Sequence, residues 1–163
     1  MDSTAELWDA YNGELNKIEG MILKRGEPIP KGMFHLVSDV LVKHKDGSFL
    51  IMQRDLKKHY GGLWEATAGG SAKQGETAYQ CAVRELYEET GIISGNLVKV
   101  GTVVTIDTIY VEFLCVTDWD KTKVSLQEGE TIDYMWIDQG KLLNMKGDKL
   151  VTERMQYFIS ELR

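Results

Sequence analysis

The stretch from Gly69 to Ile92, GGSAKQGETAYQCAVRELYEETGI, restricts the fold more than any other part of the chain, because it reads as a loop, a helix and a stop. Lys73, Gln74 and Gly75 are loop formers, and Glu76 and Thr77 stand where a helix would begin. Gly91 is placed to end that helix in the left-handed conformation that only glycine adopts cheaply. At about 100° per residue, Glu85, Glu88 and Glu89 share one helix face, while Tyr79, Val83 and Leu86 line a neighbouring apolar face. The carboxylates are therefore expected to point away from the core contact. They crowd into the last turn, where the helix dipole is negative and each anion costs about 0.3–1 kcal/mol. A solvated acidic helix end is the plain reading of three glutamates. The functional reading is a pocket for a hard divalent cation: Mg²⁺ takes oxygen ligands, keeps several waters, and is held by few carboxylates plus substrate phosphates.

Spacing decides between them. Gly70, five residues, Glu76, seven residues, Arg84-Glu85-Leu86, one residue, Glu88-Glu89, one residue, Gly91-Ile92: this resembles the Nudix box, complete at every fixed position. From average composition, a chance match is on the order of one in a billion per window. The resemblance implies hydrolysis of a diphosphate bond in a nucleoside diphosphate linked to another moiety, with Mg²⁺, or Mn²⁺ in its place. It also implies that Glu85, Glu88, Glu89 and the Gly69 carbonyl hold the metal, that Glu85 helps deprotonate water, that Arg84 holds Glu85, and that Glu76 ties the loop to the helix start. Many family members take a further glutamate from outside the box as base or ligand. Glu112, Glu128 and Glu130 are the candidates, each with a plain surface carboxylate as its competing reading. Glu130 is favoured, then Glu128, because both lie in a Gly-containing loop before a strand.

The physical need for a metal stands without the family. A diphosphate repels an incoming nucleophile, and a cation neutralises it, orients the water and lowers its pKa. The net charge of -6 argues against broad binding to nucleic-acid duplexes, which needs a basic surface. The expected partner is a small phosphorylated, nucleotide-derived substrate drawn in by local cations. Arg54, at the end of a strand, is the leading substrate contact, and Lys57, Lys58 and His59 are further candidates. A homodimer is left open. No apolar run approaches the ~20 residues of a membrane span, and Met1 to Tyr11 lacks a signal-peptide layout, so a cytoplasmic protein is expected. Cys81 and Cys115 read as buried thiols.

At 163 residues the chain reads as one domain, 1–163, with 1–30 as an N-terminal hairpin and linker and 69–92 as the box. Glu6 to Asn12 and Ile18 to Lys24 are strand-like around the Asn12-Gly13 turn signal. Met33 to Lys43, Phe49 to Gln53, Leu63 to Ala68, Asn96 to Thr105, Thr108 to Thr117 and Asp133 to Ile137 read as sheet strands. Val151, Met155, Phe158, Ile159 and Leu162 form one stripe of a C-terminal helix. Together these predict an α/β protein, an α/β/α sandwich with a mixed sheet, an N-terminal β-hairpin and a C-terminal helix, which is the kind of fold the Nudix resemblance implies. His35 reads as a core histidine, and Trp64 and Trp136 as packing residues.

Two rivals remain. GMFHLV, FLIMQR and GGLWEATAGG also resemble the isopentenyl-diphosphate isomerase branch of the superfamily, which uses a catalytic cysteine near the start of its box. Here Ala68 occupies that neighbourhood, and Cys81 lies inside the helix. A non-enzymatic nucleotide-sensing module would be favoured by a lost box carboxylate, and none is lost. On substrate, the accessory motifs of the NADH, coenzyme A and ADP-ribose subgroups are not found, Pro28 and Pro30 being the only prolines. Tyr110 lies near where diadenosine-polyphosphate hydrolases place a tyrosine, though a lone strand tyrosine is more often packing.

Overall fold

The computed structural model describes residues 6–146 and 149. Its spine is the parallel pair β3 (His35–His44) and β8 (Thr108–Thr117), in register from His35 opposite Thr108 to His44 opposite Thr117. β7 (Leu97–Val104) runs antiparallel along the outer side of β8. On the other side β4 (Phe49–Arg54) meets β3 at a single register, Lys43 opposite Phe49. Beyond that point the two strands part. β3 takes β6 (Thr67–Ser71) as its partner, and β4 takes β5 (Trp64–Glu65) and β9 (Thr131–Ile137). The sheet is therefore mixed and split along one side.

Alternation along the strands builds a core on each face. Val40 and Val42 of β3, Leu50 and Met52 of β4, and Ile109, Val111, Phe113 and Cys115 of β8 pack with Cys81, Ala82 and Leu86 of α1 (Ala78–Thr90). Leu41, Phe49 and Ile51, from the alternate positions, pack with Ala66 and with Leu142 of α2 (Gln139–Leu143). Side chains as enclosed as Leu86, Phe49 and Ile51 each contribute on the order of 2 kcal/mol through burial. α1 is capped at both ends. Thr77 and Gln80 exchange hydrogen bonds as a capping box, and Gly91 closes the helix at φ 78°.

The N-terminal hairpin, β1 (Leu7–Tyr11) and β2 (Lys17–Lys24), is a separate two-stranded sheet. Its turn is organised by Asn12, whose Oδ1 accepts the Glu14 and Asn16 amides at 2.9 and 3.1 Å. It docks through a two-way backbone bridge between Tyr11 and Phe34 and through Trp8, which stacks on His35 with ring centroids 4.3 Å apart.

Three expectations need correction. The strand expected at Leu63 to Ala68 is broken in two, and its second half runs on through Gly69 to Ser71, because β3 offers ladder partners that far. Glu76 and Thr77 stand at the start of α1 as expected, Thr77 as its N-cap and Glu76 just before it. The buried face of α1 carries Cys81, Ala82, Leu86 and Thr90, whereas Tyr79 stays partly exposed and packs edge-on to Phe113. The helix is thus turned so that Glu85 and Glu89 face β6 instead of pointing away from the sheet. α2 is too short to leave a periodic signal and was not expected. The expected C-terminal helix lies outside the described residues. Both cysteines are buried as expected, whereas His35 is half-buried in β3: its Nε2 meets the Thr108 hydroxyl at 2.9 Å, and its Nδ1 has no hydrogen-bond partner among the described residues. Trp64 and Trp136 pack against the two cores. No helix among the described residues is long and apolar enough to cross a membrane.

Candidate active site

Where β3 and β4 part, a cleft of about 340 Å³ opens under the second half of α1. β6 supplies Gly69, Gly70 and Ser71; α1 supplies Arg84, Glu85, Glu88 and Glu89; β4 and the loop after it supply Arg54 and Lys58; the approach to β9 supplies Gln127, Glu130 and Thr131. Of the three candidate glutamates outside the box, Glu130 lines the cleft. Glu128 is exposed outside it, and Glu112 is wholly buried in β8 on the sheet face opposite α1, so neither faces the cleft. Of the candidate phosphate contacts, Arg54 and Lys58 line it; Lys57 and His59 do not.

Arg84 is the hub. Its Nε and Nη2 donate to the two oxygens of Glu76, both at 2.8 Å, while Nη1 donates to Glu85 at 2.8 Å and to Glu88 at 3.2 Å. Nη2 also reaches the Ser71 carbonyl at 3.1 Å. The planar guanidinium fork suits this sharing between carboxylates. The Glu76 hydrogen bonds raise the Arg84 pKa further above its already high range. Burial pushes the Glu76 carboxyl up, but its bonds to Arg84 and to the Lys73 amide outweigh this and leave it lowered.

Glu85 and Glu89 differ from Glu76. Burial raises the Glu85 carboxyl despite the opposing pull of Arg84. Glu89 is raised well above the ordinary range, first by burial and then by the charges of Glu85 and Glu65, although its Oε2 accepts the Gly69 amide at 3.0 Å. Two carboxyls that resist ionisation side by side are what a bound cation would relieve. Among the described residues no three His, Cys, Asp or Glu side chains already converge as a metal cage. The donor set still fits Mg²⁺, which is held by one or two carboxylates, with waters and substrate phosphates completing its shell.

Close approach depends on two glycines. A Cβ on Gly70 would stand 2.6 Å from Glu85 Oε1, and one on Gly69 would stand 2.3 Å from the Ser38 carbonyl oxygen. Gly70 thus lets the helix carboxylate lie on the strand, and Gly69 lets β6 lie on β3.

The cations on the opposite wall are already engaged. Arg54 Nη1 donates to Glu65 at 2.9 Å and its Nε to the His59 carbonyl, while Lys58 is paired with Glu130. Burial, helped by the nearby Arg54, lowers the Lys58 pKa. Sequence reasoning missed Glu65, Arg25, Glu6 and Lys73, all of which line the cleft. Arg25 and Glu6 come from the hairpin, where no local signal points to the box. Cys81 is no nucleophile here: its Sγ lies against the Gly70 carbonyl at 3.3 Å, and burial pushes the thiol up to about 12.

Comparison with known proteins accords with this geometry. An uncharacterised Nudix hydrolase of Listeria monocytogenes is 39% identical over 98 residues, 58% of this chain and 57% of the relative. An 8-oxo-dGTP diphosphatase of Proteus vulgaris is 34% identical over 102 residues, 61% of this chain and 88% of that protein. An isopentenyl-diphosphate Delta-isomerase of Corynebacterium diphtheriae is 28% identical over 144 residues, 80% of this chain and 78% of that protein. The aligned part spans about half the length of several curated relatives, at 57%, 52% and 48%. In structure, a Deinococcus radiodurans protein superposes over 97% of this chain and 100% of its own with a TM-score of 0.76 at 16% identity, a likeness of fold. The family model for the NUDIX domain matches residues 33–159, and the chain belongs to the Nudix family.

Proposed function

We propose that the chain is a metal-dependent Nudix hydrolase that cleaves a diphosphate bond in a nucleoside diphosphate linked to another moiety. One observation carries this reading: Glu85, Glu88 and Glu89 of the box share a single cleft with Arg54, Lys58 and Glu130, so metal-type ligands and phosphate-type cations face the same space. Glu85, Glu88, Glu89 and the Gly69 carbonyl are the groups that would hold Mg²⁺ or Mn²⁺. The ion, when bound, supplies charge neutralisation of the diphosphate and a lowered pKa for the attacking water.

The chain's own groups do the rest. Arg84 holds Glu85 and Glu88 in one orientation, so that their oxygens need not reorganise during reaction. Arg54 and Lys58 offer positive charge to the phosphoryl oxygens. Glu130 is assigned as the general base, since among the three glutamates considered outside the box it is the one that faces the cleft. It accepts the water proton on a carboxylate oxygen, and Lys58 beside it stabilises the carboxylate for the next cycle.

The isomerase reading fares less well. Ala68, in the neighbourhood of that branch's cysteine, is buried in the core, and Cys81 is a high-pKa thiol in the helix. The test is phosphate release, with a phosphatase added, from nucleoside triphosphates, ADP-ribose, nucleotide sugars, NADH, diadenosine polyphosphates and isopentenyl diphosphate, with and without Mg²⁺ and with Glu88→Gln as the blank. Metal-dependent release lost in the variant is expected. Isomerisation of isopentenyl diphosphate, or nucleotide binding without turnover in Mg²⁺, would overturn the reading.

A further inference from the structure

The N-terminal hairpin lies outside the family match, which begins at residue 33, yet it binds the loop of the box. Asp9 of β1 is 5% exposed, and its Oδ2 accepts the backbone amide of Gly75 at 2.8 Å. The adjoining Gln74 amide donates to the Leu7 carbonyl at 2.9 Å, so two successive box-loop amides are bound by one strand of the hairpin. The other Asp9 oxygen lies 3.5 Å from Lys17 Nζ.

Gly75, at φ 82°, is the left-handed residue of a tight turn that the Glu76 amide closes onto the Lys73 carbonyl at 2.9 Å. Directly after it, Glu76 takes both Nε and Nη2 of Arg84, which in turn holds Glu85 and Glu88. A path thus runs from Asp9 by a hydrogen bond to Gly75, along the chain to Glu76, and by further hydrogen bonds to Arg84 and the cleft carboxylates. The hydrogen bonds between Asp9 and Gly75, between Arg84 and Glu76 and between Arg84 and Glu85 are each 2.8 Å long, and the one that closes the turn is 2.9 Å. A surface hairpin that merely covered the sheet would have no need of a buried carboxylate aimed at a backbone amide of this turn, because burying an anion is costly unless it is fully used.

We infer that Asp9 is a positioning residue for the hydrolysis proposed above: its carboxylate fixes the Lys73–Glu76 turn and thereby, through Glu76 and Arg84, sets where Glu85 and Glu88 stand. The inference rests on that functional reading for its kinetic consequence, but the turn itself can be observed without turnover.

The test compares Asp9→Leu, Asp9→Asn and Asp9→Ser with the wild type, and uses Lys17→Met as a control that removes only the exposed ion-pair partner. Asp9→Asn keeps an oxygen for the Gly75 amide and should retain kcat within about threefold. Asp9→Leu keeps the bulk and loses the acceptor; kcat should fall about tenfold or more with KM little changed, since misplacement of the catalytic groups is felt in the chemical step. Asp9→Ser, whose hydroxyl is too short to reach, should behave like Asp9→Leu and covers the case in which the leucine variant does not fold. Amide hydrogen exchange at Gly75 should be slow in the wild type, Asp9→Asn and Lys17→Met, and fast in Asp9→Leu and Asp9→Ser. Fast exchange at Gly75 with unchanged kcat would overturn the inference and leave the hydrolase reading intact. If even the wild type turns nothing over, the functional reading fails, while the exchange data still report whether Asp9 holds the turn.

Discussion

Replacing Gly70 by alanine tests the site at its tightest point. The added Cβ would lie 2.6 Å from Glu85 Oε1, 2.8 Å from its Cδ and 3.1 Å from Oε2. Reaching an ordinary 3.4 Å contact moves the nearer oxygen by about 0.8 Å. That oxygen is the one bonded to Arg84 Nη1 at 2.8 Å, so the hydrogen bond must stretch or the guanidinium must turn away from Glu76. A displacement approaching 1 Å in a catalytic group costs on the order of 10²-fold in rate. The stability cost is small, about 1 kcal/mol, because what yields is the end of a side chain and the Gly70 backbone is not left-handed. Gly69→Ala should do the reverse: its Cβ meets the Ser38 carbonyl oxygen at 2.3 Å and Asp39 Cα at 2.9 Å, backbone that cannot move without opening the β3–β6 ladder. A loss of about 3 kcal/mol or more is expected there. Steady-state phosphate release in Mg²⁺, alongside thermal melts of both variants, separates the two effects. Gly70→Ala with kcat/KM within threefold of wild type, or with a melting loss equal to that of Gly69→Ala, would refute the reasoning.

Three further outcomes are expected. Glu89→Gln should cut turnover at least about 10²-fold and raise the metal-free melting temperature at pH 7, because the folded protein holds this carboxyl above its ordinary 4.5. With a raised folded value the cost of ionising Glu89 is absent below about pH 4.5 and grows as the pH climbs towards that value, so the gain from Glu89→Gln should shrink on acidification. Melts across pH 4 to 7 check the sign, and a pH-independent gain would count against burial as the cause. Millimolar Mg²⁺ should stabilise the wild type by about 3 kcal/mol at a hundredfold excess over Kd, read as a raised melting temperature, and should do so less in Glu88→Gln. An identical response in both proteins would remove Glu88 from the ligand set. Arg84→Lys should lower kcat at least about tenfold, since one ammonium cannot bridge Glu76, Glu85 and Glu88 at once; kinetics matching wild type would show that charge alone suffices.

Local signals determined much of this protein. Box spacing, a cappable start at Thr77 and a stop at Gly91 are properties of contiguous residues, so α1 and its glutamates were legible before any contact was known. Strand periodicity gave β3, β4, β7 and β8 nearly to the residue, and the paired motifs pointed to the family. Which way α1 faces was not legible, because Tyr79 and Cys81 are both acceptable core residues; the narrow Gly69-Gly70 floor of β6 admits the Glu85 side of the helix. Nor could the sequence choose among Glu112, Glu128 and Glu130. That choice follows from the parting of β3 and β4, a consequence of strand pairing across distant segments that puts Glu130 and Lys58 in the cleft and Glu112 on the other face of the sheet. Asp9, 66 residues before Gly75, carries no motif. Its place beside the box exists only once the hairpin has docked, since a hydrogen bond between remote segments is written in their packing and in neither segment alone.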